Sequence, residues 1–149
     1  MKIKTILRRL FAPRIWAAND TIVGTHPDGI INCTASGAIV RNTLVKFTDG
    51  KVGACASGDL PVGIAQDTVA DGEPVAVALL GNRSGTSVCV ASEAVAQGDL
   101  LYALAAGKVG KTKPTTAGTY YTVGYALDAA SAGGDVEIQH FVPRSVVVS

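Results

Sequence analysis

Beyond the first thirty or so residues, apolar and polar positions follow a period of two in short runs, the pattern of strands with one face buried. Val75, Val77 and Leu79 alternate with the smaller Ala76 and Ala78. The runs are punctuated by turn-forming pairs: Asp49-Gly50, Gly58-Asp59, Asp71-Gly72 and Gly98-Asp99. One segment departs from this pattern. Ile3, Ile6, Leu7, Leu10 and Phe11 are spaced as one face of a helix, with Lys4, Arg8 and Arg9 elsewhere. Pro13 ends that helix near Ala12. The pattern predicts an all-β chain of many short strands with a short N-terminal amphipathic helix or arm.

The strand-forming part is built twice. Cys33-Thr-Ala-Ser-Gly-Ala-Ile39 aligns with Cys89-Val-Ala-Ser-Glu-Ala-Val95, and Leu44-Val45 with Leu100-Leu101. Gly50-Lys-Val-Gly53 matches Gly107-Lys-Val-Gly110 after a one-residue insertion. Pro61-Val-Gly-Ile-Ala-Gln-Asp67 matches Thr122-Val-Gly-Tyr-Ala-Leu-Asp128, Gly72 matches Gly133, and Val75-Ala-Val77 matches Val136-Glu-Ile138. The same motifs in the same order define an internal repeat over residues 32–81 and 88–142. Neither half readily buries its apolar face alone, so the two are expected to close on one another as a compact barrel or sandwich. The domain reading is an arm, residues 1–28, followed by a β-rich domain, residues 29–149.

Charge divides along the same boundary. Lys2, Lys4, Arg8, Arg9 and Arg14 all lie in the first 14 residues, where there is no acid. Of 13 basic residues in all, eight remain to face 12 acidic ones, so the body carries a formal −4. Such a body lacks the basic face of a nucleic-acid binder, and no direct nucleic-acid partner is expected. The arm is too short to hold a helix without a partner, since isolated helices below ~12–15 residues are marginal in water. Its apolar face has three possible partners: its own domain, a neighbouring subunit or larger assembly, or a membrane surface. The second is favoured. The contact residues are then Ile3, Ile6, Leu7, Arg8, Arg9, Leu10, Phe11, Arg14 and the lone Trp16. No apolar run reaches the ~20 residues that span a bilayer. Lys4, Arg8 and Arg9 interrupt any signal-peptide core, so synthesis in the cytoplasm and no membrane partner are expected.

Candidate chemistry is sparse. Ala105-Ala-Gly-Lys-Val-Gly-Lys-Thr112 resembles a relaxed phosphate-binding loop, but the Thr-Thr-Ala-Gly-Thr run after Pro114 is poor material for the helix such a loop requires. The repeat explains Gly107-Lys108-Val109 as a hairpin tip. Cys33, Cys55 and Cys89 form no metal-type pair and read as reduced core residues. His26 falls in a polar turn, and His140 takes the repeat position of Leu79, so it reads as a partly buried structural residue. Asp67 and Asp128 are repeat equivalents suited to fixing a loop. No catalytic residue, cofactor or metal is expected, and the chain reads as a non-enzyme.

Three stretches carry a family resemblance. Pro61-Val-Gly-Ile-Ala through Gly72-Glu-Pro-Val-Ala-Val-Ala-Leu-Leu-Gly81 resembles the capsid decoration, or cement, proteins of tailed bacteriophages. Gly98-Asp-Leu-Leu-Tyr102 with Gly107-Lys-Val109, and Val123-Gly-Tyr-Ala-Leu-Asp-Ala-Ala-Ser131 with Gly134-Asp-Val136, resemble them too. The resemblance runs from about Gly29 to Val142 and implies a small β-rich structural protein on the outer face of the mature shell. Its implied partner is the major capsid protein, its implied oligomer a trimer, and its implied work stabilisation against the pressure of packaged DNA. The basic extension Met1–Asp28 departs from compact members of the family. That leaves a second reading, a head-fibre or adhesion module projecting from the capsid, in which Tyr120, Tyr121 and Tyr125 could serve recognition.

Overall fold

Hydrophobic alternation becomes ten strands in the computed structural model, which describes residues 28–149. The first half contains β1 (Ile30–Thr34), β2 (Leu44–Thr48), β3 (Lys51–Ala54), β4 (Gly63–Ala65) and β5 (Pro74–Leu79). The second contains β6 (Ser87–Val90), β7 (Leu100–Ala103), β8 (Val109–Gly110), β9 (Gly118–Ala126) and β10 (Asp135–Val148). Each half is one five-stranded antiparallel sheet, ordered β1-β5-β4-β2-β3 and β6-β10-β9-β7-β8. The second order is the first with every strand replaced by its repeat equivalent. All-β architecture and two similar halves are thus as the sequence implies. The arm residues 1–27 lie outside the described residues.

The repeat extends to single hydrogen bonds. Ser36 N–H donates to Val52 O at 2.7 Å, and Ser92 N–H to Val109 O at 2.7 Å. Parallel bridges Ala35–Val52 and Ala91–Val109 sit beside them. They join the end of each first strand to the opposite edge of its own sheet, curling each half into a small barrel. Closure therefore falls within each half, because this bridge ties the two edges of one sheet together; the two barrels then pack against one another. Closing the edges also removes the unpaired strand backbone that would otherwise template aggregation. At the entry to β2, Asn42 adopts φ +63°. Its equivalent Gly98 adopts φ +89° before β7. Asparagine and glycine are the two residues that take this left-handed conformation most readily.

Seven buried residues fill the first barrel: Ala35, Ile39, Val45, Val52, Ala65, Val75 and Val77. Their equivalents Ala91, Val95, Leu101, Val109, Ala126, Val136 and Ile138 fill the second. The second core also takes in Leu44, Cys55, Ile64 and Leu80 from the first half. These four form a second buried face of the first barrel. The period-two reading of β5 fails at its end for this reason. Val75 and Val77 lie in the core of their own barrel, whereas Leu80 joins the core of the other, Ala78 is buried and Leu79 is left half-buried.

The junction uses backbone as well as side chains. Gly107 N–H donates to Cys55 O at 2.8 Å, and Val90 N–H to Asn42 O at 3.0 Å. Asn42 Nδ2 donates to Asp135 Oδ2 at 3.2 Å. The covering elements are β6 against β4 and the Ala105–Gly107 turn against β2. In the second half, β9 and β10 run on past the barrel as a ribbon, pairing Gly118–Tyr121 with Ser145–Val148. A bulge between His140 and Arg144 begins the ribbon. Pro143, which cannot donate to a sheet ladder, lies in that irregularity.

Candidate functional site

The loop that resembles a phosphate-binding motif has another use. Ala105–Gly107 forms a single 3-10 turn whose tip docks on the first barrel. The two-residue strand β8 follows, and the next element is the strand β9. Thr112 is committed to a carboxylate: its N–H donates to Glu93 Oε1 and its hydroxyl to Glu93 Oε2, each at 2.7 Å. These bonds hold the Glu93 carboxyl below its ordinary range. Lys111 lies 3.8 Å from Asp99. The Thr112 N–H and hydroxyl that a phosphate-binding loop would offer its ligand are thus taken by Glu93, whose negative charge beside the loop disfavours an anion.

Other sequence candidates are structural. Cys33, Cys55 and Cys89 are free thiols. Burial, with Asp59 adding to it, pushes Cys55 up to about 12, and burial with Asp135 does the same for Cys89. Such thiols stay protonated and unreactive. Asp128 Oδ1 accepts from Glu137 N–H at 2.9 Å and so fixes the loop leading back to β10. No group of three His, Cys, Asp or Glu comes together as a metal site among the described residues. No helix among them is long and apolar enough to cross a membrane. His26 lies outside the described residues.

His140 joins the halves: its Nδ1 accepts from Gly81 N–H at 3.0 Å. Burial, and then the nearby Arg83, lower its pKa. A neutral imidazole can accept this bond, whereas imidazolium carries a donor at Nδ1. The unfolded chain therefore takes up the proton first as pH falls below about 6.5. Stability is expected to be full above that value and to decline as pH falls from there towards the lower folded-state pKa. Urea midpoints measured from about pH 8 to pH 5 check this, and His140→Asn should flatten that part of the profile.

The surface offers a different kind of site. Tyr125 on β9 packs edge-on against Phe141 at 5.8 Å between ring centroids. The Arg144 guanidinium lies 4.9 Å from the centre of the Phe141 ring. Leu100 on β7 is paired directly with Tyr125. Tyr125 remains 45% exposed, and Leu100 and Phe141 are half-buried. Aromatic and arginine side chains held together on a rigid sheet have the composition of protein–protein contact residues. On the first barrel, Phe47 is 58% exposed beside the β2–β3 turn. The candidate contact residues Ile3, Ile6, Leu7, Arg8, Arg9, Leu10, Phe11, Arg14 and Trp16 all lie outside the described residues. In the sequence, Tyr125 belongs to a recognition surface only if the chain is a fibre or adhesion module, and no local pattern there singles out Phe47, Phe141 or Arg144. The available signal was the repeat itself, which puts Tyr125 where the first half has Ile64 and Phe141 where it has Leu80.

Comparison with known proteins gives this surface a context. The profile of the phage cement protein family matches residues 25–141, spanning both barrels. The chain belongs to the phage cement protein family. Cement-family membership makes it a capsid-associated structural protein, as the three resembling stretches imply. No curated protein matches it in sequence. Among solved structures, it is similar to the head fiber gp8.5 N base of bacteriophage phi29, with a TM-score of 0.56 and 20% sequence identity. That similarity covers 80% of this cement-family chain and 92% of the phi29 chain. At such identity the likeness is one of fold.

Proposed function

We propose that this protein coats the outer surface of a tailed-phage capsid and stabilises the shell against the pressure of packaged DNA. The observation that carries this reading is the match to the cement family across both barrels. The partner is the major capsid protein, and the protein acts as a homo-oligomer, a trimer by family resemblance. The basic, amphipathic segment containing Ile3, Ile6, Leu7, Arg8, Arg9, Leu10, Phe11, Arg14 and Trp16 makes the shell contact. It is made in the host cytoplasm and added to the shell. Its role is mechanical, without catalysis or cofactor: many modest contacts acting together hold neighbouring capsid subunits. Two closed barrels with buried apolar cores suit that work, since a coat protein present in many copies must keep its sheet edges from pairing indiscriminately.

The fold likeness to the phi29 head-fiber base supports one second reading, an attachment base for a projecting fibre. Copy number separates the two. Quantitative mass spectrometry of purified particles is expected to give about one copy per major capsid subunit, or a fixed simple fraction of that, as a closed lattice requires. A ratio corresponding to a few copies per particle would favour the fibre base, and absence from particles would overturn both. Particles lacking the protein should also release DNA at a lower temperature than complete ones.

A further inference from the structure

The two barrels bury equivalent faces to very different extents. On the first, Leu44 pairs with Ile64 and Ile64 with Ala78, and Leu80 extends the same face. All four are buried, and Leu44, Ile64 and Leu80 pack into the core of the second barrel. The equivalent positions on the second barrel are Leu100, Tyr125, Gln139 and Phe141, joined by the same pairings of β7, β9 and β10. Nothing in the described chain covers them as the second barrel covers the first: Tyr125 and Gln139 are exposed, and Leu100 and Phe141 half-buried.

The reverse asymmetry appears in the covering elements. The second barrel covers the first with β6 and the Ala105–Gly107 turn. Their equivalents on the first barrel are β1 and the turn at Asp49-Gly50. Gly107 is pressed against Leu44 O, whereas the space around Gly50 is open. Asp49 and Gly50 are exposed, and Phe47 beside them is an exposed aromatic. One chain therefore holds both sides of a second, unmade copy of its own internal interface, one side on each barrel.

We infer that the open face of the second barrel, centred on Tyr125 with Leu100 and Phe141, docks β1 and the Asp49–Gly50 turn of another copy of this chain. Copies join head to tail by repeating the contact made inside each one. Such a contact is heterologous, so it closes into a ring when the rotation between barrels permits and otherwise extends as a chain. The inference does not depend on shell binding, and its test uses protein free of capsids.

Sedimentation of the full-length protein over a wide concentration range is expected to show self-association. Tyr125→Lys removes the aromatic anchor and Phe47→Asp alters the docking turn. Each should weaken association at least tenfold while lowering the melting temperature by no more than a few degrees, since Phe47 is exposed and Tyr125 loses only its edge contact with Phe141. The milder Tyr125→Ser repeats the first test with less perturbation. Mixing Tyr125→Lys with Phe47→Asp should restore a one-to-one pair, since each variant keeps the surface the other lacks. Replacing Leu7 and Leu10 by Asp should leave self-association intact. A monomeric parent, unaltered association in the Tyr125 variants, or failure of the mixed variants to pair would overturn the inference. Loss of association on changing Leu7 and Leu10 would do so too, by assigning the open face to the N-terminal segment.

Discussion

Gly107→Ala is expected to destabilise the protein by about 3 kcal/mol, and Gly50→Ala, at the equivalent position, by about 1 kcal/mol. Both glycines have positive φ, +68° at Gly107 and +75° at Gly50, so a Cβ costs about 1 kcal/mol at either site from backbone conformation. Their surroundings differ. A Cβ on Gly107 would lie 2.6 Å from Leu44 O and 2.8 Å from Thr43 Cβ, while one on Gly50 has nothing within 4 Å. The atoms facing Gly107 belong to Thr43 and Leu44 at the start of β2, within the buried junction, and its own N–H is held by Cys55 O. Relief requires the two barrels to move apart, which breaks that bond and loosens the packing of Leu44 and Ile64. Thermal melts should show a loss on the order of 10 °C for Gly107→Ala and only a few degrees for Gly50→Ala. Equal shifts would mean that the junction contributes little to stability.

The second large effect concerns the shell. Replacing Arg8, Arg9 and Arg14 together by Glu is expected to reduce capsid binding more than a hundredfold, with no change in the melting temperature of the barrels. These three lie in a segment of wholly basic charge and precede the family match, which begins at residue 25. An exposed ion pair contributes up to about 1 kcal/mol, so three reversed charges lose roughly 3 kcal/mol or more, a factor above one hundred in dissociation constant. Raising salt should reproduce part of the effect, because the screening length falls from about 10 Å at 0.1 M to about 3 Å at 1 M. Cosedimentation of the variant with shells stripped of cement protein provides the measurement. Undiminished binding would assign attachment to the barrels and remove the arm from the mechanism.

Much of the architecture was legible in the residue pattern. Val45, Val52, Ala65, Val75 and Val77 align with Leu101, Val109, Ala126, Val136 and Ile138, and each pair occupies the same core position. Turn residues act locally through backbone conformation, and alternating residues fall on opposite faces of a strand whatever surrounds them. Repetition of the motifs therefore sufficed to establish an all-β chain of two like halves. It also explained the Gly107-Lys108-Val109 stretch as a hairpin tip rather than a nucleotide site, and the Glu93–Thr112 pair now supplies a reason in charge.

What the pattern could not reach is which copy of a repeated face becomes interior. Leu44 and Leu100 are the same amino acid at the same repeat position, yet Leu44 is fully buried and Leu100 only half. Gly50 and Gly107 differ in the same way. No local propensity separates the members of either pair, because burial depends on where the other barrel lies, and that follows from the summed packing of residues far apart in sequence. Strands, turns and the equivalence of core positions between the halves follow from short-range geometry and were readable in the residues, whereas closure within each half rather than between the halves came from the long-range bridges Ala35–Val52 and Ala91–Val109. Packing of one barrel on the other settles that the first barrel's second face is consumed in the junction while the equivalent face of the second, with Tyr125 at its centre, is left open.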